Sequence, residues 1–272
     1  TTYRTAAWKE FYELKELWNV VFSEEPAFLE KFFSTRFDPN HVFVAEDGGR
    51  IVSALHALPS SFTKEGVTSP CSFIVGAATL RSHRNRGIMG RLLERVQASY
   101  PHPITLFPAL RPYYEKHGYF TTSTARAYAI PPTLALNERQ KRFATPDDLE
   151  PIYKSATYRC GSLDRDELAW GFLIDGYETI YVEDGYAFIL EDKAVEAFAL
   201  KRETARLLLG ILARRGISMI HVLPASPFES CLKNGCPGFY THLTLPTKRI
   251  GVNMRVRVAH GTNTPHDMLM QM

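Results

Sequence analysis

Hydrophobic residues along this chain follow two periods, and the change from one to the other marks out most of its elements. The run PCSFIVGAATL at 70–80 is apolar and rich in small and β-branched side chains, which predicts a buried strand. Beyond it, Ile88, Met89, Leu92, Leu93 and Val96 recur at helical spacing until Pro101 ends the run. Residues 11–37 carry aromatic and aliphatic side chains at helical spacing, and TPDDLEPIYKSA at 145–156 starts a further helix with Thr145 or Asp147 as its cap. Stretches 42–55 and 187–200 each read as two β-prone runs flanking a polar turn, the pattern of a hairpin. ETARLLLGILARRG at 203–216 predicts a helix, and SMIHVLP after it a strand.

The two hairpins are also alike in sequence. VFVAEDGGRIVSAL (42–55) aligns without gaps to AFILEDKAVEAFAL (187–200), setting Phe43 against Phe188, Glu46 and Asp47 against Glu191 and Asp192, and Ala54 and Leu55 against Ala199 and Leu200. Further on, PALRPYYEKHGY (108–119) resembles PASPFESCLKNGC (224–236). Between the paired stretches the first half has 52 residues, 56–107, and the second only 23, 201–223. By this alignment the second half has lost the strand and loop that precede the helix. Two related α/β (α+β) units are therefore expected, with mixed central sheets flanked by helices and the second degenerate: 1–135, 136–250, and a strand-like then polar tail at 251–272. Pro131 and Pro132 stop a strand near the boundary.

Composition narrows the function classes. At 272 residues, with 45% hydrophobic and 22% charged residues, the chain is ordinarily globular, and a net charge of +3 does not call for a nucleic-acid partner. No stretch approaches the ~18 apolar residues of a membrane span, and the polar start TTYRTAAWKEFYELK is unlike a signal peptide, so a cytoplasmic protein without a membrane partner is expected. Cys71, Cys160, Cys231 and Cys236 are too scattered for a disulfide framework. Cys231 and Cys236, with His221 and His242 nearby, are spaced too loosely for a zinc set, so no metal is expected.

The chemistry concentrates at LRSHRNRGIMGRLLERV, 80–96, where Arg81, Arg84, Arg86 and Arg91 surround Gly87 and Gly90 between the strand and the helix. A strand–turn–helix unit aims unpaired backbone N–H groups and the helix macrodipole at one point, which favours an anion. The arginines add charge-assisted contacts. The loop lacks the Gly-Lys-Ser/Thr of a phosphate-binding P-loop and is not G-x-G-x-x-G.

This stretch resembles the Arg-x-x-Gly-x-Gly/Ala acyl-CoA loop of the GNAT N-acetyltransferases, with Arg84 and Gly87 in register. It departs at Met89, where a Gly or Ala is usual, and in that it resembles the Eis-like (enhanced intracellular survival) branch, whose members carry two GNAT-like domains in tandem. The resemblance implies an acetyl-CoA-dependent N-acetyltransferase, with Ala78, Thr79 and Leu80 along the pantetheine arm and Arg84, Asn85, Arg86, Gly87, Ile88, Met89 and Gly90 around the pyrophosphate. The family's Y-x-x-x-G-Y stretch falls on Tyr114, Gly118 and Tyr119, making Tyr114 the expected proton donor to the departing thiolate. Direct attack by the amine on the thioester needs no covalent enzyme intermediate, so Cys71 is expected to be a buried, inert thiol. His56, Glu46 and His117 lie nearby, but the base that deprotonates the amine is left unassigned.

The acceptor is a small-molecule primary amine, a polyamine or an aminoglycoside-like molecule among them, or the amine of a protein lysine or N-terminus. In GNAT folds the first helices wall its site, so Trp18, Phe22, Glu24 and Glu25 are the candidate lining residues, together with Phe32 and Phe33, while aromatics at this spacing are also what a core would use. Eis-like proteins usually carry a third, sterol-carrier-like domain, for which the residues after the second half do not suffice. The competing reading is a non-catalytic acyl-CoA-binding sensor. A homo-oligomer is left open.

Overall fold

The computed structural model describes residues 1–136 and 143–232, and the backbone of 241–245. Its elements run β1 (Thr2–Thr5), α1 (Phe11–Phe22), α2 (Pro26–Arg36), β2 (Val42–Asp47), β3 (Arg50–Lys64), β4 (Val67–Thr79), α3 (Ile88–Ser99), β5 (Ile104–Leu106), α4 (Arg111–Lys116), β6 (Phe120–Thr124) and β7 (Arg126–Ala129). They continue with α5 (Pro146–Thr157), β8 (Ser162–Leu163), α6 (Glu167–Gly176), β9 (Glu178–Val182), β10 (Gly185–Leu190), β11 (Lys193–Ala199), α7 (Arg202–Arg214), β12 (Met219–Val222) and β13 (Thr241–Leu245).

Two mixed sheets carry these strands. The first has the order β1-β2-β3-β4-β5-β13-β6, with short β8 also on β3, and the second β7-β12-β11-β10-β9. Strands cross between the units: β7, from the first half of the chain, pairs antiparallel with β12, while β13, from the second half, lies between β5 and β6. Both exchanges cross the division expected at residues 135 and 136.

Each sheet contains one strand–helix–strand unit whose strands pair parallel. In the first sheet it is β4–α3–β5 and in the second β11–α7–β12. This corrects the repeat alignment. The hairpin β10–β11 matches β2–β3 in sequence, but β11 occupies the place of β4, directly before the crossover helix. The second unit has therefore kept its strand and lost only the loop: eight residues, 80–87, join β4 to α3, whereas two, 200 and 201, join β11 to α7. Short hairpins share alternation and a polar turn wherever they stand, so local similarity did not distinguish neighbouring positions in a meander.

Thr145 caps α5 in a capping box with Asp148, which settles the choice between Thr145 and Asp147, and Pro146 takes the first helical position. The aromatics of α1 and α2 form a core rather than an open wall: Trp18, Phe32 and Phe33 are at most 1% exposed. Each such side chain contributes about 1.5–3 kcal/mol by leaving water. Their cluster continues through Phe172, Tyr177, Tyr186 and Phe188 of the second unit, so the two sheets share apolar packing. Ion pairs from α2 to α6, Lys31–Asp175 at 2.6 Å and Arg36–Asp166 at 2.5 Å, sit at its edge. They are partly exposed and worth little individually.

Candidate active site

The site begins where β4 loses a neighbour. β4 pairs parallel with β5 at Ser72, Phe73 and Ile74, opposite Ile104, Thr105 and Leu106; β5 then ends while β4 runs on to Thr79. On its other edge β4 stays on β3, with a bulge that sets Gly76 and Ala77 against the single residue Leu55. Gly76 sits at φ +60°, and a Cβ there would lie 2.2 Å from the Trp18 ring. Glycine is required twice over, once for the backbone conformation and once for the ring.

Pairing along the edge decides which backbone groups are free. The Leu80 N–H donates to the Val52 carbonyl at 2.9 Å, so by strand alternation Ala78 also faces β3 and Thr79 faces the open side. The Thr79 carbonyl accepts from Arg84 Nε at 3.1 Å, leaving the Thr79 N–H on the open edge. Ala78 is buried, and Ser53 Oγ donates to its carbonyl at 2.8 Å.

The loop turns at Asn85 (φ 62°) and Gly87 (φ 73°), which is the N-cap of α3 without any side-chain capping bond. Nothing lies within 4 Å of where a Gly87 Cβ would stand, so this glycine answers to backbone conformation and opens onto free space. Arg81, Arg84, Arg86 and Arg91 are exposed, and none has an acidic partner among the described residues. Ile88 points into the core beneath α3 and offers only its backbone, and Met89 packs half-buried against the same core. Gly90 is a packing residue: a Cβ there would stand 2.5 Å from the ring of His117, the residue that follows α4. His83, which sequence reasoning passed over, lies 3.4 Å from Asp47 and ties the loop to the β2–β3 turn.

That Gly90–His117 contact seats α4 on the first turn of α3. Tyr114, on α4, is half-buried between Tyr113 and Tyr119, with ring centroids 5.5 and 5.8 Å away. Burial first, and Tyr113 beside it, push its pKa well above the usual phenol value, so it holds its proton through neutral pH. Its hydroxyl has no hydrogen-bond partner among the described residues.

None of the three nearby candidate bases has the surroundings of one. His56 is fully buried among Trp18, Phe32, Phe33 and Phe37, and burial pushes its pKa down to about 3. Glu46 is paired with Arg4 at 2.6 Å, and His117 lies against Tyr113. Of the expected acceptor wall, Trp18 is enclosed in the core, Glu24 is buried, Phe22 is half-buried and Glu25 is exposed at the start of α2. Cys71 is buried, and burial raises its pKa to about 12, a thiol rather than a thiolate. Among the described residues no group of three metal-ligating side chains occurs and no helix is long and apolar enough to cross a membrane. Cys236 and the side chain of His242 lie outside the described residues.

A strand with a free edge, an uncapped helix N-terminus ringed by arginines without acidic partners, and a protonated tyrosine on the helix packed against that N-terminus have the chemistry to take an anionic, extended ligand. Residues 2–122 match the family model described as an acetyltransferase (GNAT) domain. The matched stretch ends before β7, so it includes every element of the site just described. No curated protein matches the sequence.

Solved structures share the fold across nearly the whole chain. A conserved protein of unknown function from Enterococcus faecalis, described as a probable N-acyltransferase, superposes with a TM-score of 0.68 at 18% identity, covering 91% of this chain and 73% of its own. A GCN5-related N-acetyltransferase from Anabaena variabilis gives 0.68 at 14% identity, covering 89% and 72%. Eis1 from Mycobacterium abscessus gives 0.65 at 17% identity, covering 91% and 74%. At these identities the likeness is one of fold, and it extends through the second unit, beyond the residues that the family model matches.

Proposed function

We propose that this protein is an acetyl-CoA-dependent N-acetyltransferase of the Eis-like tandem type, passing an acetyl group to a primary amine by direct attack. The observation that carries the reading is the convergence of β4's open edge, the α3 N-terminus and Tyr114 on one place. The residues fit acetyl-CoA. The Thr79 N–H can pair with the pantetheine amide, and the N–H groups of Ile88, Met89 and Gly90 point out of the uncapped helix start. Arg81, Arg84 and Arg86 can neutralise the phosphates, and the open space before Gly87 leaves them room. Bound there, acetyl-CoA supplies an activated thioester carbon.

The chain's own part is to hold, orient and protonate. The free backbone edge of β4 aligns the donor, so that the reaction with a bound amine is in effect unimolecular. Tyr114 keeps a proton at its Oη for the thiolate that departs, and its raised pKa ensures the proton is there at neutral pH. The amine loses its proton to water or to a residue that none of His56, Glu46 and His117 is placed to be. The second unit, with a two-residue link where the first has its arginine loop, binds no donor and serves as wall and support.

Thiol release from acetyl-CoA, measured over a panel of amines, tests the reading. Stimulation by amines, a drop in kcat of about 100-fold or more in Tyr114→Phe, and weaker acetyl-CoA binding in Arg84→Ala are expected. Binding of acetyl-CoA with no amine-dependent release would instead favour a sensor, and absence of binding would refute the loop assignment.

A further inference from the structure

Between the two sheets lies a cavity of about 520 Å³, within the range of sites for small organic molecules. It uses both units: Phe62 of β3, Cys71 of β4, and Thr105 and Phe107 at β5 from the first, with Tyr153 of α5 and Phe198 of β11 among those from the second. The strand pleat separates it from the donor site. Cys71, Phe73 and Phe107 point to the cavity side of the first sheet, whereas Ile74, Ile104 and Leu106 point into the core under α3. Phe107 follows β5 directly, where β4 and β5 part company, so one end of the cavity reaches the opening in the sheet from the face opposite α3.

The buried charge in its wall is already balanced, and the other charged lining residues, half-buried Lys64 and exposed Glu65, are of opposite sign. Arg165 makes a two-pronged ion pair with Glu196, at 2.6 and 2.9 Å, and the Tyr186 hydroxyl donates to the same carboxylate at 2.8 Å. The guanidinium packs in the corner formed by the rings of Tyr153 and Trp170, 3.8 and 4.9 Å from their centroids. His221 is buried, and burial pushes its pKa down to about 4, so it is uncharged at neutral pH. A polycation entering here would surrender water from several ammonium groups, and of the two carboxylates among the described lining residues Glu196 is engaged by Arg165 and Glu65 is exposed to solvent, so neither offsets that cost in the interior. A single amine on an apolar or aromatic body meets that cost only once, at the nitrogen that must shed its proton to react in any case.

We infer that this cavity is the acceptor site, and that it takes a monoamine carried on an apolar, ring-sized body in preference to a polyamine or an aminoglycoside. The inference rests on the acetyltransferase reading for the reaction, and on the cavity alone for the binding. It moves the acceptor away from the wall of Trp18, Phe22, Glu24 and Glu25 expected at the start of the chain.

The test separates the two layers. Binding of 2-phenylethylamine and of spermidine to the full chain is measured by calorimetry without any acyl-CoA, and amine-dependent thiol release is measured in parallel. Ala125→Trp and Ser69→Trp, which fill the cavity from its half-buried and exposed margins, are compared with the unsubstituted protein. The acetyl-CoA Kd, set on the other face of the sheet, reports whether each variant is folded. Phenylethylamine is expected to bind at least tenfold more tightly than spermidine, and the variants to weaken it at least tenfold while acetyl-CoA binds as before. If phenylethylamine binds and the variants weaken it but no thiol is released, the site stands and the acetyltransferase reading falls. Tighter binding of spermidine, or phenylethylamine binding that neither folded variant disturbs, would overturn the inference. So would a preference for octanoyl-CoA over acetyl-CoA that the tryptophans abolish, because the cavity would then hold the donor's acyl chain.

Discussion

Gly76 and Gly87 offer a controlled comparison, because both sit at positive φ and only one is crowded. Placing alanine at φ +60° or +73° costs about 1–2 kcal/mol in backbone strain at either position. At Gly87 nothing else stands in the way. At Gly76 the new Cβ would lie 2.2, 2.6 and 2.7 Å from three atoms of the Trp18 ring. That ring cannot swing aside, being held by Phe22, Phe32, Phe33 and His56 at centroid distances of 5.9, 4.7, 5.8 and 5.3 Å. Overpacking of this kind adds about 1–3 kcal/mol. Gly76→Ala is therefore expected to lose about 2–5 kcal/mol in urea unfolding followed by circular dichroism, and Gly87→Ala about 1–2. In a Trp18→Phe background the smaller ring should relieve most of the excess at Gly76 and change nothing at Gly87. Equal losses for the two alanine variants, or an excess at Gly76 that survives Trp18→Phe, would refute the claim that the tryptophan dictates this glycine and with it the bulge.

Three further outcomes follow from the same packing. His56 is buried neutral, with a folded pKa of about 3 against about 6.5 unfolded. Between those values the unfolded chain binds more protons, so stability is fully present above pH 6.5 and falls as pH drops, by about 2 kcal/mol from pH 7 to pH 5. His56→Leu should flatten that slope, and an unchanged slope on chemical denaturation at several pH values would show that His56 is not its source. Glu196→Gln strands the Arg165 charge in the interior and should cost about 3–5 kcal/mol, whereas Arg165→Met with Glu196→Leu should restore most of it, both read by denaturant midpoints. The raised pKa of Tyr114 places any loss of kcat from its ionisation above pH 10; an alkaline limb below that, shared with Tyr114→Phe, would assign the titration to another group.

Sequence alone determined the elements whose signals are local. The β4–loop–α3 unit, the Pro101 stop, the start of α5 within the pair Thr145 and Asp147, and the helix at Arg202–Arg214 stand as periodicity and capping place them, because those signals act within a few residues. The arginines around Gly87 and the tyrosine of α4 were legible for the same reason. What only the tertiary structure decided is partnership. Which strand lies beside β4 depends on sheet edges that no local pattern encodes, so the hairpin β10–β11 matched the wrong neighbour, and β7 and β13 crossed between units unannounced. His56 looks available in the sequence and is walled in by four aromatic rings contributed by α1, α2 and Phe37. The cavity between the sheets draws on residues from 62 to 223, and its apolar character belongs to none of those segments taken singly. Helix and strand periods are properties of neighbouring residues, whereas pockets and strand order are set by free-energy differences among distant contacts that the folded chain alone brings together.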